Sequence, residues 1–184
     1  ADIARKYVYT WADDVKREAE LLGIKVIDIV DNNFTKDVLE KNIIEQDPYF
    51  VFLSNHGTEY SIKDHDCNGD AIIRCVNDHL FKDRIVYAVS CHTALILGKS
   101  AINKGCQCYI GYDEAIIFPF QSDAPNTLGD TVAEPFMRVS NEVALSILRG
   151  STPEEAIRNS KKVADNYIRY WESQNKPESN LIIN

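Results

Sequence analysis

Phe50-Val51-Phe52-Leu53-Ser54-Asn55-His56-Gly57 and Ile85-Val86-Tyr87-Ala88-Val89-Ser90-Cys91 are the two stretches on which the fold of this chain turns. Each opens with five residues, mostly β-branched, aromatic or leucine, a run of strand rather than helix length. Successive side chains on a strand point to opposite faces, so a run that is apolar at nearly every position needs cover on both sides. That is the mark of a parallel sheet with helices packed over it. Each run then ends in a side chain capable of chemistry. In open parallel sheets, sites form in the loops at the carboxyl ends of the strands. The interval between residues 56 and 91 leaves room for a crossover helix that would set the two strands side by side. His56 and Cys91 are then expected on adjacent loops at one edge of the sheet.

Working outward, Tyr7, Val8, Trp11, Val15, Ala19 and Leu22 recur at three- and four-residue intervals, which predicts a helix over 5–22 stopped by Gly23. Ile24 to Val30 alternates and is rich in β-branched residues, so it reads as a strand. Thr35 is placed to cap a helix from Lys36 to Glu45. A polar loop is expected from Thr58 to Asp70, then a helix around Ala71 to Leu80. A short helix follows over Thr93 to Asn103, and a strand over Gln107 to Gly111. Tyr112 to Asp130 is irregular and long for a connection, as functional loops are. Glu134 to Leu148 reads as a helix with proline in its first turn. Thr152-Pro153-Glu154-Glu155 is a capping box opening another that runs to about Gln174. The tail over 175–184 reads as loosely held.

Strands alternating with helices imply an α/β fold with a mostly parallel central sheet flanked by helices in three layers. The chain opens on a helix that would ordinarily follow a strand, so the first strand of the sheet is expected outside this sequence. A single domain over 1–184, part of a longer protein, is the simplest organisation for 184 residues.

A net charge of -8 argues against direct nucleic-acid binding and against an anionic membrane surface as partners. No apolar run reaches the roughly 20 residues that span a bilayer. The first ten residues are charged and unlike a signal peptide. The five cysteines are odd in number and sparse, which suits reduced thiols and a cytoplasmic location. Cys106 and Cys108 have the spacing of neither a CxxC redox pair nor a zinc knuckle. No GxGxxG or GxxxxGK[ST] loop occurs, so nothing supports nucleotide binding.

The chemistry of the two strand ends is that of a thiol and an imidazole. An ionised thiol is a strong nucleophile, and a neighbouring histidine can take its proton and return it to a leaving amine. Gly57 lets its backbone N–H approach a substrate carbonyl. With the N–H of Cys91 it would form an oxyanion hole, worth about 3 kcal/mol per donor in the transition state. A cysteine at a strand end is ordinarily a small packing residue, and a His-Gly pair ordinarily a turn. It is the two together, each closing its own apolar strand, that point to catalysis.

Those two motifs resemble the signature of the clan of cysteine peptidases that holds caspases, legumain, separase, gingipains and the CHAT domains. There, one apolar strand ends in His-Gly and a later one ends in a small residue and the catalytic Cys. Gly105-Cys106-Gln107-Cys108-Tyr109-Ile110-Gly111 and the closing Ala144-Leu145, Arg149-Gly150 and Pro153-Glu154-Glu155-Ala156 are most similar to the gingipain and CHAT types. The resemblance extends from about Gly23 to Tyr170. It implies a caspase-like fold and an endopeptidase acting on protein or peptide substrates through a thioester, with Cys91 and His56 as catalytic dyad and no cofactor. Because the first strand is expected outside this sequence, regulatory domains or an activating partner are expected there as well; a catalytically silent scaffold of the same fold is the alternative function. Ser54 and His92 depart from the pattern, and His92 is a rival partner for the thiol. His65 and His79 read as surface residues.

Relatives that cut after basic residues hold them with a carboxylate, which makes Asp113, Glu114 and Asp123 the candidates for binding substrate. Asp64-His65-Asp66-Cys67-Asn68-Gly69-Asp70 matches the first half of a calcium loop, with Asp64, Asp66 and Asn68 as ligands. Its twelfth position falls on Cys75 rather than a bidentate Glu, so the segment reads first as a polar turn and no metal is assigned.

Overall fold

The computed structural model describes residues 3–174; the tail over 175–184 lies outside the described residues. The protein is mixed α/β, and its chain forms two compact units. One comprises Lys25–Ile116; the other comprises the described residues up to Ile24 together with those from Ile117 onward.

The Lys25–Ile116 unit contains a fully parallel three-stranded sheet. Strands β1 (Phe50–Ser54), β4 (Ile85–Val89) and β5 (Cys108–Ile110) lie in the order β1-β4-β5. Phe50 pairs with Ile85 and Ser54 with Val89, so the two decisive strands are neighbours in register and end at the same level. β4 is buried at all five positions, as its unbroken apolar run requires. Helices α2 (Lys36–Gln46) and α3 (Leu97–Asn103) contribute Leu39, Ile43, Leu97 and Ala101 to a core shared with Val51, Leu53, Val86 and Ala88 of the sheet. Thr35 caps α2 by accepting the Val38 N–H, as its position before the apolar periodicity indicated.

The crossover between β1 and β4 departs from the sequence expectation. No helix forms over Ala71 to Leu80. Instead β2 (Ser61–Lys63) and β3 (Asp70–Ile73) make an antiparallel hairpin, followed by a short 3₁₀ turn over Asp78–Phe81. The reason lies in Ile72 and Ile73, which favour extended backbone, and in Asn77. The buried Asn77 side chain accepts the Ile73 N–H at 2.7 Å and donates to the Ala71 carbonyl at 2.8 Å and to Glu40 at 2.9 Å. It thereby takes the Ala71 carbonyl, which a helix would have paired with the Cys75 N–H, and ties the Ile73 N–H to a side chain instead of to a helical turn. The hairpin places Ile62, Ala71 and Ile72 fully inside the core.

Ile24–Val30 also differs: it has no regular secondary structure and forms no ladder among the described residues. Four of its residues are partly buried, with Ile29 packed against the core, but a strand exists only where a neighbour supplies backbone partners. The short helix expected over Thr93 to Asn103 begins at Leu97, the residues before it being a series of turns.

The other unit is helical, with α1 (Ile3–Leu21), α4 (Glu134–Leu148) and α5 (Pro153–Gln174). Tyr7 and Trp11 of α1 pack with Ala133 and Met137. The capping box forms as read: Glu155 N–H donates to Thr152 Oγ1 at 3.2 Å and Thr152 N–H to Glu155 at 2.9 Å. Asp130 is the polar centre of this unit. Fully buried, it accepts the Tyr7 hydroxyl at 2.6 Å, the Gln121 N–H at 2.7 Å, and the Val132 and Ala133 N–H groups at 3.0 Å each. Burial alone would raise its carboxyl, but these four donors outweigh it and hold it below the ordinary range. Burial and the adjacent carboxylate push Tyr7 up to about 12. Among the described residues no helix is long and apolar enough to cross a membrane.

Candidate active site

Because β1 and β4 pair in parallel and in register, the loops that follow them leave the sheet together. Gly57 is where they touch. A Cβ built on Gly57 would lie 2.7 Å from the Cys91 carbonyl oxygen, 2.7 Å from the Thr93 methyl and 2.9 Å from Ser90 Cβ. Only a residue without a side chain allows this approach, so glycine at 57 is a condition for the His56 and Cys91 loops to meet. The sequence reading gives Gly57 the task of bringing its N–H to a substrate; the structure shows a different requirement for glycine here, the close packing of one loop on the other.

The His56–Gly57 loop is held from its opposite side by the hairpin. Lys63 N–H donates to the His56 carbonyl at 2.9 Å, Thr58 N–H to the Ser61 carbonyl at 2.8 Å, and Gly57 bridges to Ile62. Asn55, 7% exposed, accepts the His56 N–H at 2.9 Å and donates to the carbonyls of Lys63 at 3.1 Å and Asp64 at 2.9 Å. Among the described residues neither the Gly57 nor the Cys91 N–H donates to a protein acceptor, which leaves both expected oxyanion donors unspent.

Cys91 is half-buried, and its sulfur accepts the Ile116 N–H at 3.2 Å. The segment that delivers this donor crosses the turn after β4. Ala94 N–H donates to the Tyr112 carbonyl at 3.0 Å and His92 N–H to the Glu114 carbonyl at 3.3 Å. His92 takes a left-handed backbone conformation, and its Nδ1 lies 3.2 Å from the Asp113 carbonyl. A carbonyl can only accept, so Nδ1 carries the proton in this contact. Asp113 and Glu114 thus meet the Cys91 turn through their backbone; their side chains are exposed. Asp123 belongs to the helical unit, where it is also exposed.

Of the other thiols Cys108 is half-buried like Cys91, and three differ. Cys106 is buried, donates toward the Arg84 and Cys108 carbonyls, and is pushed up to about 11 by burial. Cys67 and Cys75 are exposed in turns. In the acidic turn, Asp64 accepts the Gly69 N–H at 3.2 Å, and Asp66 accepts both the backbone N–H and the side-chain amide of Asn68 at 3.0 Å. Those two hydrogen bonds hold the Asp66 carboxyl down to about 2. Donor atoms of Asp64, His65 and Asp66 lie within 4.8 Å of one another, close enough to hold a cation, while Asn68 is engaged inside the turn.

Sequence reading missed two contributors, Asn55 and Ile116. Asn55 carried a signal, a lone amide between an apolar strand and a histidine; a backbone donor such as Ile116 N–H leaves none. No family model, curated protein or solved structure matches the chain.

Proposed function

We propose that this protein is a cysteine endopeptidase of caspase-like architecture, in which Cys91 attacks the peptide carbonyl and His56 handles the proton. The Cys91 sulfur bonds to the carbonyl carbon as His56 takes the thiol proton, and the carbonyl oxygen becomes an oxyanion facing the Gly57 and Cys91 N–H groups. Collapse expels the amine, protonated by His56, and leaves an acyl thioester. Water, deprotonated by His56, then releases the acid and regenerates the thiol. The observation that carries this reading is the contact of Gly57 with the Cys91 carbonyl, at the carboxyl ends of two adjacent parallel strands. A protein or peptide substrate, a basic residue favoured by Asp113, Glu114 or Asp123, and control by other domains or an activating partner belong to the same proposal.

The test is cleavage of a peptide library varied at the P1 residue, with Cys91→Ala and His56→Ala beside the parent. Both substitutions are expected to abolish cleavage, the loss being on the order of 10³-fold or more. Cleavage by Cys91→Ala at the parental rate would end the proposal.

A further inference from the structure

We propose that Asn55 is a positioning residue, whose side-chain amide fixes the His56 peptide against the hairpin and so aims the imidazole at the Cys91 turn. The inference rests on the dyad reading above. His56 follows Asn55 directly, and its two peptide groups are tied to one place. The N–H is held by Asn55 Oδ1 at 2.9 Å, and the carbonyl accepts the Lys63 N–H at 2.9 Å. Asn55 is itself anchored there, since both of its amide hydrogens are spent, on Lys63 O and Asp64 O. With both flanking peptides hydrogen-bonded and Gly57 pressed on the Cys91 carbonyl, the His56 backbone is held between the hairpin and the Cys91 turn.

The residue type follows from the geometry. The site needs one acceptor and two donors on a planar group one carbon from the backbone, in a place almost without water. Aspartate supplies the acceptor but sets a carboxylate against two carbonyl oxygens. Serine has one donor, and glutamine is a methylene too long. The hairpin is shaped for the same purpose: its register shifts between Ile62 and Lys63, and the Lys63 N–H and C=O turn toward His56 and Asn55. Bulges commonly re-aim the backbone next to sites in this way.

The experiment is a double-mutant cycle on the whole chain, with Asn55→Ala, His56→Ala and the double variant. Two rates are read: modification of Cys91 by iodoacetamide, followed by peptide mass spectrometry, and peptide cleavage per titrated Cys91. His56→Ala is expected to slow Cys91 modification on the order of tenfold. Asn55→Ala is expected to lower kcat per titrated site by about 10–100-fold with little change in KM, the cost of a misplaced group. In the His56→Ala background it is expected to add nothing to either rate. Asn55→Asp, which keeps the acceptor and loses the donors, serves where Asn55→Ala does not fold, and is expected to behave alike. An equal loss in both backgrounds, or a kcat within about twofold of the parent, would overturn the positioning role. If His56→Ala changes neither rate, the dyad fails and this inference fails with it. If His56 matters and Asn55 does not, only this inference fails.

Discussion

Replacing Gly57 by alanine adds one methyl group at the narrowest point between the two loops. The backbone there is not left-handed, so alanine meets no conformational penalty and the effect is purely steric. Ordinary contact for a Cβ begins at 3.4 Å, and the new carbon would fall about 0.7 Å short of it at the Cys91 oxygen and the Thr93 methyl, and about 0.5 Å short at Ser90. Thr93 and Ser90 are 0% and 1% exposed and have nowhere to go. The loops must therefore part, against the hairpin bonds that hold residues 56–58 on the other side. Overpacking of this kind costs about 1–3 kcal/mol, or roughly 3–10 °C in Tm for a chain this size. A displacement of catalytic groups approaching 1 Å costs on the order of 10²-fold in turnover. Gly57→Ala keeps the backbone N–H, so a loss in kcat would come from spacing and not from deletion of the proposed oxyanion donor. Thermal melts by circular dichroism and peptide cleavage per titrated Cys91 measure the two effects. A variant melting within about 1 °C of the parent and turning over within about threefold would refute the claim that this contact sets the geometry.

Lys104→Ala removes the partner of Asp78, which is 0% exposed and lies 2.5 Å from the Lys104 ammonium. Burial would raise the Asp78 carboxyl, but the hydrogen bond from Lys104 and its companions keep it below the ordinary range, so it is ionised and would be left without its counter-charge. The expected loss is about 3 kcal/mol, read from urea midpoints, with most of it recovered in the Lys104→Ala/Asp78→Asn double variant. Asp130 predicts an acid-sensitive helical unit. Its folded carboxyl is depressed, so its stabilisation is complete above the ordinary carboxylate pKa of about 3.9 and is lost as pH falls through the folded value. Fluorescence of Trp11, buried in that unit, followed in urea from pH 7 to pH 2, should show the midpoint falling below pH 4 more steeply in the parent than in Asp130→Asn. Equal slopes would remove Asp130 from the account.

The parallel neighbours β1 and β4 were legible because a buried parallel strand advertises itself by being apolar on both faces, and they do so over four and five residues. The helices were legible where caps and periodicity agreed, as at Thr35 and Thr152. What failed was decided by distant partners. Ile24–Val30 has a strand's composition, yet pairing depends on a neighbour no local pattern reveals. Ala71 to Leu80 looked helical until Asn77 took the Ala71 and Ile73 backbone groups for its side chain. At the two strand ends, the sequence placed His56 and Cys91 on adjacent loops, as the parallel pairing of β1 and β4 has them. The narrowness at Gly57, the Asn55 anchor and the Ile116 donor could not be read there, because each joins residues far apart in sequence or acts through backbone atoms common to all residues.

The misread crossover bears directly on the site. A helix between β1 and β4 would have buried apolar surface equally well, but its backbone N–H and C=O groups are spent within itself and cannot hold a neighbouring loop. A hairpin keeps an outer edge of unspent groups. Here that edge supplies the Lys63 N–H and C=O and the Ser61 carbonyl, which bind His56, Asn55 and Thr58. The loop bearing the histidine is therefore clamped between a strand edge on one side and the Cys91 turn on the other, and Gly57 sets how far apart those two jaws stand. A substitution in the hairpin that left its core intact but turned the Lys63 peptide would be expected to disturb His56 before it disturbed the fold.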